Sequence, residues 1–221
     1  MTTIPARVVA VAFVAGCLMG QTWAQTSVSG TISSDTTWTT AGSPYIVTTN
    51  VYVQGTDGPD GVTRLTIDPG VEVRFQAGTA LWVGWSATGG LDAVGDAANR
   101  IRFTSDSVSP TAGDWSGIRL GAHTAAGNQI SYADIQYAGG SATYPGALHV
   151  YTTAVADLNN VIFSDSVPVD IYLGSSSNLN VTNCELSSFR YADNTVAATW
   201  SGNTFDHWGD TTSVVSPRGA D

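Results

Sequence analysis

The chain has 221 residues, of which 43% are hydrophobic and only 12% are charged, a composition that excludes a disordered chain and favours an ordered β protein. The formal charge is −10, and all eight basic residues are arginines. Nucleic acid and anionic lipid are therefore excluded as partners, because such a surface would repel both.

The first 24 residues are predicted to be a secretory signal peptide. Arg7 precedes an apolar run over residues 8–15, and the polar segment that follows ends at Ala24, a suitable cleavage point. Alternatively, residues 14–17 resemble the site at which bacterial lipoproteins are cut and lipidated on Cys17. No later segment approaches the ~20 apolar residues of a membrane-spanning helix. We expect a secreted, extracellular or periplasmic protein, or one that is lipid-anchored through Cys17.

Residues 25–50 are predicted to form an N-terminal cap and the first strands. The turn that follows brings together Asp57 and Asp60, which are candidate ligands for calcium, a cation that prefers carboxylate oxygens. Their spacing fits no regular calcium-binding loop, so a plain turn is the alternative. Apart from Ca²⁺ at this turn, no cofactor is expected.

From Ser27 onward, short segments alternate apolar and polar residues and are separated by Gly, Ser, Asn and Asp. In residues 71–75, for example, three apolar side chains point one way, while Glu72 and Arg74 point the other. This period of two is typical of β-strands with one buried face, and no stretch shows helical periodicity. Cys184 lies on such a strand and is expected to pack inside.

The strands recur in pairs that can be aligned, which is typical of a repeat protein. The second strands of successive pairs end at residues 137, 163, 186 and 205, and the steps between them suit one turn of a β-solenoid. Asp134, Asn160 and Asn183 align at a bend. We predict an all-β, single-stranded, right-handed parallel β-helix of about six coils over residues 51–205, with a C-terminal cap and tail over residues 206–221.

Five motifs in succession, at residues 30–38, 43–47, 65–75, 101–105 and 115–119, resemble secreted bacterial β-helix proteins of the pectin lyase-like superfamily. The resemblance implies the fold but no single activity, because the superfamily includes lyases, hydrolases and adhesins. The paired-aspartate, Gly-His-Gly and Arg-Ile-Lys elements of its polygalacturonase-like hydrolases are absent, and the chain has no lysine. Residues 205–208 only superficially resemble a pectate lyase motif.

The strand alignment places Arg119, His149 and Asp170 at one outward position on three successive coils, and Trp82 extends this column by one coil. An aromatic face can stack on a sugar, an arginine can bind a uronate carboxylate, and a histidine and an aspartate can bind hydroxyls or transfer a proton. These four residues are the candidate ligand-binding site. Arg119, His149 and Asp170 are also the candidate catalytic residues. The alternative is a charge ladder without a ligand.

The missing catalytic motifs and the small number of coils favour a non-catalytic scaffold, secreted or surface-associated, with a glycan-binding, adhesive or structural role. An extracellular glycan or a cell-surface component is the expected partner. The alternative is a small polysaccharide lyase or hydrolase that acts on an acidic glycan.

Overall fold

The computed structural model describes residues 25–193 and 195–205, so the predicted signal peptide and the predicted C-terminal tail lie outside the described residues. The described chain is all-β apart from one short 3-10 turn, Thr40–Gly42. Its strands, numbered in chain order, are β1 Thr26–Ile32, β2 Thr36–Trp38, β3 Tyr45–Val53, β4 Thr63–Ile67, β5 Glu72–Phe75, β6 Ala80–Val83, β7 Gly89–Val94, β8 Ile101–Ser105, β9 Gly117–Leu120, β10 Asn128–Gln136, β11 Leu148–Val150, β12 Val155–Ser164, β13 Ile171–Leu173, β14 Asn178–Thr182, β15 Glu185–Leu186, β16 Phe189–Tyr191, β17 Ala197–Ser201 and β18 Thr204–Phe205.

Every strand pair is parallel, and the pairs form three stacks that run along the molecule. Stack A contains β5, β8, β15, β18 and parts of β1, β3, β10 and β12. Stack B contains β6, β9, β11, β13, β16 and the second halves of β1 and β3. Stack C contains β2, β4, β7, β14, β17 and the first halves of β10 and β12. The chain visits the stacks in turn, and the predicted parallel β-helix is confirmed.

The number of coils follows from the stacks. Stacks B and C each contain seven strands over the described ranges, where about six coils were predicted. The ladder starts at Thr26, because β1 already pairs in parallel with β3, and β3 crosses the predicted boundary at residue 51. β1 and β2 together form the first coil, in the range where an N-terminal cap and the first strands were predicted.

Inward side chains form continuous apolar columns because each strand repeats the register of the strand beneath it. In stack A one such column contains Tyr45, Val73, Phe103, Ile135 and Phe163, and it continues through β15 and β18. Ile135, and not Tyr137 as predicted, occupies this column. Burial of each Val, Leu, Ile or Phe side chain stabilises the fold by roughly 1.5–3 kcal/mol, so the stacked columns are the main source of stability.

A second column is set by backbone shape at the bend between stacks C and A. Tyr132, Asn160, Asn183 and Gly202 all have positive φ angles, between 46° and 65°. Asparagine and glycine adopt this left-handed conformation most easily, which explains the residues chosen on three of the four coils. The predicted member Asp134 is not at the bend, because it pairs with Arg102 on stack A.

Cys184 is 2% exposed and packs in the core, as expected from its strand position. Within residues 25–193 and 195–205, the structure contains no helix of the length and apolarity required to cross a bilayer.

Asn183→Ala is expected to lower the free energy of unfolding by about 1 kcal/mol, because alanine resists the left-handed backbone at φ +52°. Asn183→Gly should be less destabilising, since glycine accepts this conformation. Urea unfolding followed by circular dichroism measures both. Val108→Ala, a change at a fully exposed side chain, is the control. Equal stability of the alanine and glycine variants would contradict the role assigned to the bend.

Candidate functional site

The outward side chains of stack B form one column whose register the strand pairs define. Arg119 pairs with Trp82 on one side and with His149 on the other, so these three predicted residues are adjacent. The full column, from β3 to β16, is Tyr52, Trp82, Arg119, His149, Tyr172 and Arg190.

Asp170 is not part of this column, which corrects the prediction. The strand register pairs His149 with Tyr172, two residues further along the chain. Asp170 is 1% exposed, and one of its carboxylate oxygens accepts hydrogen bonds from the Ser187 amide at 2.6 Å, the Ser187 hydroxyl at 2.8 Å and the Ser188 amide at 3.1 Å. Burial raises the pKa of Asp170, and these hydrogen bonds offset part of the rise. The residue holds a turn between coils.

The column is also covered, whereas an exposed ridge was expected. Trp82 is 7% exposed, Arg119 0% and His149 6%. The side chains that cover them come from the loops that follow stack A and stack B. Tyr144 stands edge-on to the Trp82 ring, with centroids 5.0 Å apart, and it also contacts the His149 ring at 5.9 Å.

The covering rings form a continuous aromatic cluster. Trp85, 36% exposed, lies 4.5 Å from Trp82, 5.9 Å from Tyr144 and 5.5 Å from Tyr151, as measured between ring centroids. Tyr151 in turn stacks on His149 at 4.9 Å and packs against Tyr144 at 5.7 Å. Burial and a hydrogen bond with Tyr144 raise the pKa of Tyr151 to about 12, so its hydroxyl stays protonated. The outer face of stack B therefore presents half-exposed rings.

Arg119 lies beneath these rings and donates only to main-chain oxygens. Its Nη1 donates to the Gly146 carbonyl at 2.8 Å and to the Ile118 carbonyl at 3.2 Å, and its Nη2 donates to the Ser116 carbonyl. Its Nε has no partner. Because burial disfavours the charged form, the pKa of Arg119 falls to about 9, and the side chain is a cation at neutral pH.

His149 is a neutral residue at physiological pH. Burial, with the Arg119 charge acting in the same direction, lowers the pKa of His149 to about 4. Its Nδ1 lies 3.2 Å from the Pro145 carbonyl oxygen, an arrangement that fits Nδ1–H as the donor. The ring therefore serves to hold the loop that carries Tyr144.

The column contains no carboxylate. In the described part of the chain, Arg64, Arg74, Arg100 and Arg102 each form an ion pair with Asp or Glu. Over the same residues, Arg119 and Arg190 form no ion pair with Asp or Glu, and both arginines belong to this column. A strongly acidic protein thus has in this column two arginines without ion-pair partners, and each lies next to an aromatic residue of the column, Arg119 next to Trp82 and Arg190 next to Tyr172.

The geometry does not assemble an acid–base pair on this face. Glycoside hydrolysis requires two carboxylic groups that face each other across the substrate, and the column supplies none. His149 has no acidic partner, and both terminal nitrogens of Arg119 are engaged by carbonyl oxygens. The face offers aromatic rings for stacking and N–H and O–H groups for hydrogen-bond donation.

Asp57 and Asp60 lie in one turn but have separate interactions. Asp57 accepts a hydrogen bond from the Asp35 amide at 2.9 Å, while Asp60 accepts from the Val62 amide at 3.1 Å and lies 3.4 Å from Arg64. Across the described ranges, no three His, Cys, Asp or Glu side chains are grouped so as to hold a metal ion. Calcium at this turn stays a prediction.

Sequence reasoning missed the residues that cover the column. Tyr52 and Tyr172 occupy column positions, and correct alignment of their strands would have found them. Trp85 and Tyr151 closely follow strands of stack B, whereas Tyr144 lies in the long loop before β11. The available signal was the concentration of aromatic residues beside the strands of stack B.

One comparison decides the family. The family model described as a pectate-lyase-like β-helix domain matches residues 30–150, more than half of the chain. The chain belongs to the pectate-lyase-like β-helix family. The match includes β3 to β11 and hence most of the outer column of stack B, and it makes the chain a carbohydrate-related β-helix protein. No curated protein matches this family member. No solved structure matches it either.

The low pKa of His149 makes stability dependent on pH. The folded chain binds the His149 proton more weakly than the unfolded chain, so protonation favours unfolding and stability is lost as the pH falls from about 6.5 towards 4. Between pH 6.5 and 4.5 we expect the wild type to lose about 2 kcal/mol more than His149→Phe. Urea unfolding of both proteins at each pH measures this difference. Parallel losses in the two proteins would show that His149 is not the group responsible.

Proposed function

We propose that this β-helix is a non-catalytic extracellular protein that binds a glycan through the outer face of stack B. The observation that carries the proposal is the half-exposed aromatic cluster of Trp85, Tyr144 and Tyr151 over a column free of carboxylates. Aromatic rings bury the apolar faces of sugar rings, while tyrosine hydroxyls and tryptophan N–H groups bind sugar oxygens.

A binding role also agrees with the electrostatics of the face. The chain is acidic overall, yet this column carries Arg119 and Arg190 and no acidic residue. Hydroxylated or anionic glycans approach such a face without repulsion, whereas the rest of the surface repels polyanions. The family membership favours a carbohydrate ligand.

The second candidate is a small polysaccharide lyase or hydrolase acting on an acidic glycan. The observation in its favour is the adjacency of Arg119 and His149, which could neutralise a carboxylate and move a proton. Against it, both side chains are buried and already hydrogen-bonded to the loop before β11. A scaffold that binds without turnover fits these contacts better.

Loss of an exposed ring should weaken glycan binding. For Trp85→Ala and Tyr151→Ala we expect about a tenfold rise in Kd, because each change removes roughly 1.5 kcal/mol of apolar contact. The probes are homogalacturonan, alginate, cellulose and chitin oligosaccharides and heparin fragments, measured by calorimetry. Val108→Ala, a fully exposed change on another face, is the matched control and should bind like the wild type. Absence of binding to every probe would overturn the proposal.

The same oligosaccharides should survive incubation with the protein, with or without Ca²⁺. Neither new reducing ends nor the ultraviolet absorbance of unsaturated uronates should accumulate, since the face has no acid–base pair. Turnover that disappears in His149→Phe would replace the binding role with the enzymatic one.

We also propose that the protein is exported, either freely or on a lipid anchor. Cleavage after Ala24 would leave Gln25 as the first residue, whereas lipoprotein processing would leave a lipidated Cys17. Mass spectrometry of the mature protein is expected to find Gln25 at the N-terminus. A lipid adduct that is absent in Cys17→Ser would establish the anchored form.

A further inference from the structure

Residues 141–146, the loop that carries Tyr144, are attached to the body of the molecule mainly by the outer column of stack B. Within the described part of the chain, Gly140 and Ala147 have amides bonded to the carbonyls of Trp115 and Val169, but residues 141–146 form no backbone–backbone hydrogen bond. Their carbonyl oxygens instead meet two side chains: Arg119 donates to Gly146 at 2.8 Å, and His149 Nδ1 lies 3.2 Å from the Pro145 oxygen.

Glycines with positive φ lie near both ends of this segment: Gly139 precedes it by two residues, and Gly146 is its last residue. Gly139 has φ +97° and Gly146 has φ +94°, a backbone conformation that other residues rarely adopt. Such positions can absorb large changes in φ and ψ and are suited to act as hinges. The segment is thus bounded by hinge-like glycines and is held down by column side chains and by the contacts of the Tyr144 ring.

The groups under this segment include hydrogen-bond donors without acceptors. Over the described residues, the buried side-chain nitrogens that lack a partner are Trp82 Nε1, Arg119 Nε and Arg190 Nε, and all three belong to the outer column of stack B. Trp82 contacts the Tyr144 ring, and Arg119 contacts Gly146. A buried donor without an acceptor costs about 1–3 kcal/mol, so two such donors side by side favour a ligand that satisfies them.

We propose that residues 141–146 are a lid, and that a glycan which displaces it is bound through its oxygen atoms by Trp82 Nε1–H and Arg119 Nε–H. This inference rests on the proposed glycan-binding function and adds to it a recessed subsite beneath the exposed rings. The two residues that carry these donors occupy paired positions on neighbouring strands, whose backbones lie about 4.8 Å apart, so one ligand that lies along the stack spans both positions. Arg119 has two roles: it holds the lid in the closed state and contributes to the subsite in the open state.

The donors are tested by nuclear magnetic resonance of the mature protein with the tightest-binding oligosaccharide from the panel above. The Trp82 indole N–H signal is assigned as the one that is missing in Trp82→Phe, and the Arg119 Nε–H signal as the one missing in Arg119→Lys. Saturation with the oligosaccharide should shift both signals. If the oligosaccharide binds but neither signal moves, the subsite is overturned, while the binding function stands.

Affinity supplies a second test with a conservative variant. Trp82→Phe keeps an aromatic ring and removes only the N–H donor, so it should raise Kd about fivefold. Trp200→Phe is the matched control, because its N–H already donates to the Tyr191 hydroxyl at 2.9 Å, outside the aromatic cluster. Equal affinity of Trp82→Phe and the wild type would contradict the donor role, and unfolding curves of both variants show whether the fold is intact.

The lid is tested by the rate of binding in stopped-flow fluorescence, with Trp82 and Trp85 as reporters. If the lid must open first, the observed rate should level off at high oligosaccharide concentration, and Tyr144→Ala should remove the plateau by releasing the lid from Trp82. A rate that rises linearly in both proteins would overturn the lid. Failure of every oligosaccharide to bind would instead refute the proposed function itself.

Discussion

The backbone ladder between coils is the constraint on which the rest of the molecule depends. Every strand is parallel to its partners, and each strand between the two end coils is hydrogen-bonded to the coil above and to the coil below. A coil in isolation would leave its amides and carbonyls unpaired. The ladder fixes the register of neighbouring coils, and the register in turn decides which side chains meet. Core columns, the bend and the outer column of stack B all follow from this single repeat.

Register also explains why chemically unlike residues are collected on one face. An inward position accepts only side chains that fit the core, but an outward position is limited only by its neighbours and by solvent. In stack C that freedom yields an exposed polar ladder in which Asn180 bonds to Asp157 and Thr199. In stack B the loops between stacks are long enough to fold back over the column. The same backbone geometry therefore produces a solvent-exposed polar surface on stack C and a covered column of side chains on stack B.

The sequence predicted the fold well because strand alternation and repeat spacing are local signals. It also placed Trp82, Arg119 and His149 together, since their strands have similar motifs. Asp170 was assigned wrongly because the loop before β13 sets the register there, and the shift of two residues, from Asp170 to Tyr172, preserves the alternation of apolar and polar positions. Tyr144 could not be predicted, because its position depends on how its loop folds over a neighbouring coil. Strand positions can therefore be predicted from the sequence, whereas the path of a loop over a neighbouring coil depends on three-dimensional packing.

Each strand of stack B contributes one residue to the outer column, so the length of this column depends on the number of coils. Each coil adds a single outward side chain and about 4.8 Å of length, and the spacing between successive copies of the stack A core position varies from 19 to 32 residues. Duplication or loss of a whole coil would therefore lengthen or shorten the face by one side chain while leaving the other registers unchanged. The reach of the site along an extended polymer is set by coil number, and its selectivity by the loops that interrupt the coils.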